Sequence, residues 1–294
     1  TRMLMNLLAD INATHIAIIF DSGKKTFRHE IFPQYKANRP PVPEDLIPQF
    51  AMIRNVADAL NIKTLEKVGY EADDIIATLA TKAEKEDFEV LIVSSDKDLM
   101  QLVDNNIFMY DAMKEKKIHI EDVIEKWGVE PSRLLDVLSL IGDTADNVSG
   151  VQGIGPKTAV ELINEYGSVE NLIENVQNIK QEKRKNTIIN HLDDLKLSKK
   201  LITLEKNVNL EENLDDLKIQ AIEPEKLIKF LIWYQALAEK DEQEKPLTDE
   251  EITDLLEEEL RKNNISTSVI TSINKENICE LEELYQLLSD LGVN

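Results

Sequence analysis

Cysteine is almost missing from this sequence of 294 residues, since Cys279 stands alone. A single cysteine excludes an internal disulfide framework and any metal site built from several thiolates, so we expect a reducing compartment. Long apolar runs are missing too: none approaches the ~18 to 20 residues of a membrane-spanning helix. The first residues, TRMLMNLLADI, lack the basic, apolar and small-residue layout of a secretory signal. These absences predict a soluble, cytoplasmic protein without a membrane partner.

Basic residues are in short supply, because 34 Lys and Arg stand against 56 Asp and Glu and the formal net charge is −22. Such a balance argues at first against a nucleic-acid partner, whose phosphates are bound by Lys and Arg. The charges are segregated, however. Between His15 and Pro40 there are five bases and two acids, so this segment is locally positive. Residues 239–262 carry eleven acids and four bases and predict a solvated tail.

Two short runs rich in β-branched residues, His15–Phe20 and Glu89–Val93, predict buried strands. Helical periodicity is found at Leu46–Leu60, Ala72–Lys85, Ile120–Trp127 and Pro131–Ile141. Strands that alternate with helices predict an α/β core with a mainly parallel sheet flanked by helices. In such a sheet, ligands bind beyond the carboxyl ends of the strands.

The remaining segments are predicted to be mostly helical. The sequence starts with a helical pattern at residues 3–11, and a helical lobe is expected beyond Asp143, with Ala159–Tyr166 and a basic stretch at Lys180–Lys200. Further helical runs lie at residues 249–260 and 276–288. We therefore predict a core at 1–142, a helical lobe at 143–235, and an acidic linker with a short helical piece at 236–294.

Eight carboxylates stand in four groups at the predicted strand ends and helix starts: Asp21; Glu71, Asp73 and Asp74; Asp96 and Asp98; Asp143 and Asp146. Hardly any histidine lies near them, and hard oxygen ligands favour Mg²⁺ or Mn²⁺ over zinc. Two such ions, about 4 Å apart, can flank a scissile phosphate. Each group alone also has a structural interpretation, as first-turn acids of a helix or as turn and capping residues. Their joint placement at one sheet edge favours a metal site.

A glycine-rich turn, GVQGIGPKTA, follows the last acidic group. Glycines let a backbone approach a phosphate closely, Pro156 suits the first turn of a helix, and free N–H groups there bind anions. The turn resembles a helix-hairpin-helix element, which holds the DNA backbone without reading sequence. A plain turn between two helices is the alternative. The expected contacts come from Gly150, Gln152, Gly153, Gly155, Lys157 and Thr158.

Basic and aromatic residues alternate in KKTFR, at residues 24–28, and in YKANRPP, at residues 35–41. This pattern suits a single-stranded DNA flap, because cations follow phosphates and rings stack on bases. The expected contacts are Lys25, Tyr35, Lys36 and Arg39. A solvated surface loop is the alternative. The cluster Lys183–Lys185 predicts either a duplex contact or a solvated helix face.

Four blocks together resemble a known family: FDSGKKTFRHEIFPQYKANRP, GYEADDIIATLA, SSDKDLMQLV and GDTADNVSGVQGIGPKTA. They are similar to signature blocks of the 5′-to-3′ exonuclease domain of bacterial DNA polymerase I, within the flap endonuclease superfamily. The resemblance covers residues 1–235. It implies a PIN-like α/β fold with a helical arch over the metal site, and structure-selective hydrolysis of DNA phosphodiesters in replication and repair.

The resemblance also implies roles for single residues. The eight carboxylates take the positions of metal-site ligands, with Asp73, Asp96 and Asp98 as close ligands of two Mg²⁺ or Mn²⁺ ions. Lys24 or Lys25 and Arg28 would hold the scissile phosphate, Lys36 and Arg39 match the basic arch, and the glycine turn would hold K⁺. Implied partners are DNA with a 5′ flap, nick or 5′ end and a polymerase domain. We expect a monomer in the bacterial cytoplasm, associated with the nucleoid.

Two departures from the family pattern leave alternatives open. Family members open with a strand that carries a metal-binding aspartate, and this sequence starts after that strand; residues beyond 236 do not match well. A catalytically silent DNA-binding fragment is therefore one alternative. A PIN-type ribonuclease is another, although compact members of that class generally lack the glycine-rich hairpin and the helical lobe.

Overall fold

The computed structural model describes residues 11–44 and 46–223, together with residues 4, 7, 8, 226, 227 and 230. Residues 4, 7 and 8 of the predicted N-terminal helix are helical. The predicted linker and helical runs from residue 236 onward lie outside the described residues. The chain divides into two compact units: a larger one with residues 19–41 and 66–211, and a smaller one with residues 1–18, 42–65 and 212–294.

The described helices and strands follow the chain in an alternating order. The helices are α1 Phe27–Ile31, α2 Ile47–Ala59, α3 Ala72–Lys85, α4 Ile120–Trp127, α5 Pro131–Ile141, α6 Pro156–Tyr166, α7 Val169–Glu174, α8 Glu182–Asn190 and α9 Leu192–Ile202. The strands are β1 Ala17–Ile19, β2 Lys63–Leu65, β3 Val90–Val93, β4 Ile107–Asp111, β5 Lys116–Ile118, β6 Gly142–Asp143 and β7 Val148–Ser149. Within the described residues, no helix combines the length and the apolar character needed to cross a membrane.

The predicted elements are confirmed closely where local signals are strong. Helix α3 has the predicted bounds because Glu71 precedes it in an extended conformation, acids occupy its first turn, and Lys82 and Lys85 occupy its last turn. Helix α4 ends at Gly128, whose φ of 73° is easily adopted only by glycine. The basic stretch at Lys180–Lys200 is two helices, α8 and α9, which meet at His191.

The larger unit has a three-stranded sheet in the order β3-β4-β5. Strands β3 and β4 are parallel, with Val90 opposite Ile107, and β4 and β5 are antiparallel. One hydrophobic core connects this sheet to the helices and includes Ile92, Met109, Leu134 and Leu162, all at most 5% exposed. Since α5 packs on α6 and α9, the sheet and the helices share this core. The α/β prediction is therefore confirmed.

The smaller unit pairs β1 with β2 and contains α2. Its core is formed by Val56, Leu60 and Ile62 with Leu227 and Phe230. A bridge between His15 and Lys218 and a hydrogen bond from Asn61 Nδ2 to the Ala221 carbonyl (2.9 Å) tie the distant parts of this unit together. It therefore has a hydrophobic core of its own.

Strands β6 and β7 form a short antiparallel hairpin in the larger unit, with Asp143 opposite Val148. The hairpin depends on close backbone packing of Gly142 and Gly150. A Cβ on Gly150 would lie 2.3 Å from the Ile141 carbonyl carbon and 2.4 Å from the Gly142 nitrogen. No side chain fits there, so these glycines hold in place the turn that carries Asp143 and Asp146.

Candidate metal centre

One cavity of the larger unit brings acidic and basic side chains together. Its acidic lining consists of six of the eight predicted carboxylates: Glu71, Asp73, Asp96, Asp98, Asp143 and Asp146. Its other polar lining consists of Arg28, Tyr35, Lys36 and Arg39. The three acidic segments are the residues after β3, the first turn of α3, and the β6–β7 turn. The fold thus collects groups that are far apart in the sequence.

Local hydrogen bonds fix the acidic turns. After β3, the Asp96 N–H donates to Ser94 Oγ at 3.1 Å, and the Asp98 N–H donates to Asp96 Oδ1 at 2.8 Å. In the hairpin turn, Asp143 Oδ1 accepts from the Ala145 N–H at 2.8 Å. The turn and capping interpretation is therefore correct for these residues, and Asp96, Asp98 and Asp143 also line the cavity.

Burial and mutual repulsion disturb two of the carboxyl groups. Burial raises the pKa of Asp73 to about 7, with further increases from the charges of Asp96, Glu71 and Asp21. Burial likewise raises the pKa of Asp98 to about 6 against the opposing effect of Lys97. Perturbed carboxyl groups in a polar cavity are typical of functional sites, because clustered negative charges need a positive partner.

Basic residues of the segment at 35–39 supply part of that positive charge. Lys36 Nζ donates to Glu71 Oε1 at 2.5 Å and lies 3.8 Å from Asp146 Oδ2. Arg39 Nη2 donates to Asp146 Oδ1 at 2.6 Å. Both cations therefore lie beside the acidic cluster.

Tyr35 has a different role from the predicted one. The residue is 5% exposed, and its hydroxyl, which has one proton to donate, lies 3.1 Å from both Glu71 Oε2 and Asp146 Oδ2. Burial and the neighbouring carboxylates raise the pKa of the hydroxyl. The prediction that this ring stacks on bases is wrong for the structure as it stands, because the ring is covered by protein.

Arg28 and Asp74 also depart from their predicted roles. The Arg28 guanidinium donates to both Asp74 oxygens (2.6 and 2.7 Å) and to the carbonyls of Leu201 (2.7 Å) and Thr203 (2.9 Å). Asp74 is fully buried and also accepts from the N–H groups of Glu71 (3.0 Å) and Glu205 (2.9 Å). Four donors occupy this carboxylate, and it does not line the cavity. We therefore correct both expectations: Asp74 is not placed as a metal ligand, nor Arg28 as a phosphate contact.

Three further predicted residues lie outside the cavity lining. Asp21 is exposed and accepts from the Ala72 N–H at 2.8 Å, so it caps the start of α3, close enough to Asp73 to raise its pKa. Lys24 and Lys25 are exposed on the turn before α1. Both lysines are therefore accessible to a ligand from solvent.

Lys97 does not line the cavity, but it contacts two of the lining acids, and the sequence analysis did not single it out. Its Nζ donates to Asp143 Oδ2 and lies 3.5 Å from Asp98 Oδ1. Burial opposes the charged form, but these acids raise the pKa of Lys97. Burial raises the pKa of Asp143, but the hydrogen bond and the charge of Lys97 lower it, and the pKa of this carboxyl stays below its usual value. The only sequence signal was its place between Asp96 and Asp98.

The glycine turn has one buried side and one open side. Gly150 packs against backbone atoms, so a glycine is needed there for the packing of the hairpin and not for the approach of a ligand. A Cβ on Gly153 or Gly155 would meet nothing within 4 Å, and Gly153 has a φ of +86°. Gln152 and Lys157 are exposed, Thr158 is half-buried, and Pro156 begins α6. The open side thus offers backbone N–H groups at a helix start.

The chemistry of the acidic lining fits a hard divalent cation, because its ligands would all be carboxylate oxygens. In the described part of the chain, however, no group of three or more acidic, histidine or cysteine side chains has a geometry that would hold a metal. Several of these carboxylates are instead paired with Lys36, Arg39 and Lys97.

Comparison with protein families decides which group the chain belongs to. Residues 1–128 match the family described as 5'-3' exonuclease, N-terminal resolvase-like domain, and residues 129–225 match 5'-3' exonuclease, C-terminal SAM fold. The chain belongs to the 5′-3′ exonuclease family. The resemblance found in the sequence is therefore confirmed.

Curated relatives of this 5′-3′ exonuclease family member include whole enzymes and a protein of similar size. It is 40% identical to a 5'-3' exonuclease of Aquifex aeolicus over 226 residues, which are 77% of each chain. It is 50% identical to DNA polymerase I of Rhizobium leguminosarum over 236 residues, 78% of this chain and 23% of the relative. The chain thus spans about a quarter of the polymerase relatives' length.

Solved structures support the PIN-like fold of this 5′-3′ exonuclease family member. The T5 D15 protein, co-crystallised with metal ions, matches with a TM-score of 0.62 at 23% identity, over 81% of this chain and 89% of that one. The catalytic core of Rad2 in complex with a DNA substrate matches with a TM-score of 0.54 at 16% identity, over 78% and 75%. The predicted fold class is confirmed.

Proposed function

We propose that this protein hydrolyses DNA phosphodiester bonds from the 5′ side, as a structure-selective 5′-to-3′ exonuclease and flap endonuclease that depends on Mg²⁺ or Mn²⁺. The observation that carries the proposal is the convergence of six carboxylates from three separate segments on one cavity, with Lys36 and Arg39 among them. Metal-dependent phosphodiester hydrolysis needs this combination, because both the ions and the phosphate must be held.

Asp73, Asp96 and Asp98 would be the main ligands, with Glu71, Asp143 and Asp146 completing the set and Asp21 adding negative charge nearby. When bound, the ions would lower the pKa of an attacking water and neutralise charge on the leaving oxygen. The residues of the chain do the rest: Tyr35 orients Glu71 and Asp146 through its hydroxyl, and the Arg28–Asp74 pair holds the backbone of Glu71.

Cations at the cavity have two successive uses in this proposal. Without substrate, Lys36 and Arg39 neutralise Glu71 and Asp146. With these acids engaged in holding metal ions, both cations would be available to the scissile phosphate. Lys24 and Lys25, which are exposed near the start of α1, would follow the strand beyond it.

The open side of the glycine turn would bind the duplex backbone. Gly153, Gly155, Lys157 and Thr158 surround the start of α6, where N–H groups and a lysine favour a phosphate. Gln152 is exposed beside them. We further propose a K⁺ ion at this turn.

We also infer that the chain is the nuclease part of a DNA polymerase I, with a nuclease core at 1–142, a DNA-binding lobe at 143–235 and a linker from 236. This chain aligns with only about a quarter of the length of the polymerase relatives, which supports this inference. We expect a monomer that works in the cytoplasm at the nucleoid, with the polymerase domain of its parent protein as a partner.

The test is cleavage of a 5′-labelled flap DNA by the protein with Mg²⁺, compared with Asp96→Asn and Asp98→Asn variants. Each variant should lose at least about a hundredfold in rate while binding DNA at near wild-type affinity, because the lost groups act on the reaction. Glu89→Gln is the matched control, since Glu89 is an exposed acid that pairs with Lys117 outside the cavity. Full cleavage by Asp98→Asn, or cleavage in EDTA, would reject the site assignment. Preferential cleavage of a matched RNA flap would favour a ribonuclease.

A further inference from the structure

Lys97 is the cation that reaches the side of the cluster formed by Asp98 and Asp143. Its side chain is 38% exposed, whereas the side chains of Asp98 and Asp143 are 21% and 13% exposed. The ammonium group contacts both carboxylates, by a hydrogen bond to Asp143 and at 3.5 Å from Asp98 Oδ1. A water-accessible stem therefore carries a charge into a group of acids that are mostly shielded from water.

Lys36, Arg39 and Lys97 contact different acids of the cavity. Lys36 and Arg39 come from the segment at 35–39 and pair with Glu71 and Asp146. Lys97 comes from the same turn as two of the acids, Asp96 and Asp98. The Asp98–Asp143 side thus has its own counter-ion, separate from those that we assign to the phosphate.

We propose that Lys97 is an internal counter-ion of this cluster, which a divalent cation must displace in order to bind Asp98 and Asp143. The proposal rests on the proposed function, because it assumes that the cation binds at these acids. An oxygen that accepts the ammonium proton is less available as a ligand, and a divalent ion and an ammonium group at the same acids repel each other.

The structure allows this displacement without a backbone change. Lys97 lies in the helical region, at φ −66° and ψ −29°, at the start of the 3₁₀ turn Asp98–Leu102. The turn is held by the hydrogen bonds between Ser94, Asp96 and Asp98, none of which involves the lysine side chain. The lysine side chain is a flexible stem of four carbons, so the ammonium group can move into solvent while Asp98 and Asp143 stay in place.

Lys97 therefore has two opposite effects. It stabilises the acidic cluster when no metal is bound, because it neutralises part of its charge. It also lowers the affinity for the divalent cation, because its hydrogen bond must be broken first. Neutral variants at this position are expected to bind the metal more tightly and to be less stable without it.

The experiment is a calorimetric titration of Mn²⁺ into the metal-free protein without DNA, comparing wild type with Lys97→Gln and Lys97→Met. We expect the Kd for Mn²⁺ to fall about tenfold in both variants, equivalent to about 1.4 kcal/mol. Lys97→Arg keeps the charge and should bind no more tightly than wild type. Lys116→Gln is the matched control, because Lys116 pairs at 2.7 Å with Asp122, which is not one of the cavity acids. The Kd of this variant should stay within about twofold of wild type.

The outcomes separate this proposal from the proposed function. Unchanged or weaker Mn²⁺ binding by folded Lys97→Gln and Lys97→Met would overturn the counter-ion role while leaving the nuclease proposal intact. Wild-type protein that binds no Mn²⁺, or binds it equally well after Asp98→Asn, would reject both. Tight Mn²⁺ binding without cleavage of flap DNA would reject only the proposed reaction. Thermal unfolding in EDTA is the second readout: neutral variants should unfold at a lower temperature and gain more from Mn²⁺ than wild type.

Discussion

Arg28 and Asp74 form a buried ion pair between residues 46 positions apart. Together they connect α1 and the first turn of α3 with the end of α9 and the segment after it, through the carbonyls of Leu201 and Thr203 and the Glu205 N–H. All the hydrogen-bonding capacity of Asp74 is directed at these contacts. The pair therefore positions the backbone of Glu71, and it acts on the site through packing and not through contact with a ligand.

Removing one partner of this pair should be costly, because the other is then a buried charge without compensation. We predict that Asp74→Asn and Arg28→Met each lower the free energy of unfolding by about 3 kcal/mol. The double variant should lose clearly less than the sum, since the two changes share one interaction. Urea unfolding measures this. Lys117→Gln is the control, because it breaks an exposed pair and should cost at most about 1 kcal/mol. Additive losses in the double variant would contradict the pairing.

At the scale of elements, the β6–β7 hairpin connects the acidic cluster with the glycine turn. The backbones of Gly142 and Gly150 are in direct contact, and the Val151 N–H donates to the Leu140 carbonyl at 2.8 Å. The same short element thus sets the position of Asp143 and of the start of α6. A change in its backbone is transmitted to both parts of the site.

The same substitution, made separately at two glycines, tests this role of the hairpin. We predict that Gly150→Ser lowers the free energy of unfolding by at least about 2 kcal/mol, because its Cβ would overlap backbone atoms that cannot move freely. Gly155→Ser is the matched control: its Cβ meets nothing within 4 Å and its φ of −92° suits serine as a helix cap. It should change stability by less than about 0.5 kcal/mol. Equal losses in the two variants would show that side-chain room at Gly150 is not limiting.

At the scale of the whole molecule, a net charge of −22 is compatible with DNA as a partner because the charge is unevenly distributed. The acidic stretch at 239–262 lies outside the described residues, and another part of the charge is concentrated in the cavity. Repulsion within that cavity makes stability depend on pH and on bound cations.

The raised pKa of Asp73 fixes the sign of this pH dependence. Burial and neighbouring acids raise it from 3.8 to about 7, so between these values the folded protein holds a proton that the unfolded chain has released. Stability should therefore fall as pH rises through this window. We predict a lower urea midpoint in EDTA at pH 7.5 than at pH 5, and a smaller fall in Asp73→Asn. Glu89→Gln should keep the wild-type fall. An unchanged fall in Asp73→Asn would contradict the assigned pKa.

The sequence determined the elements whose signals are local. Helices α3, α4 and α5 have the predicted bounds because helical periodicity, caps and terminal charges all act within a few residues. The grouping of the acids and the family also followed from the sequence, since each of the four signature blocks is an uninterrupted stretch of residues. Six of the eight acids reach one cavity, as their grouping in the sequence had indicated.

Only the tertiary structure decided which partner each charged or polar side chain takes. Arg28 pairs with Asp74, Tyr35 is buried against Glu71 and Asp146, and Lys97 contacts Asp143; all these contacts join residues at least 36 positions apart. Sequence motifs give the type of group and its local spacing, whereas a hydrogen bond depends on distance and orientation in space. The roles of these residues therefore depend on how the elements pack, and the packing is fixed by the core as a whole.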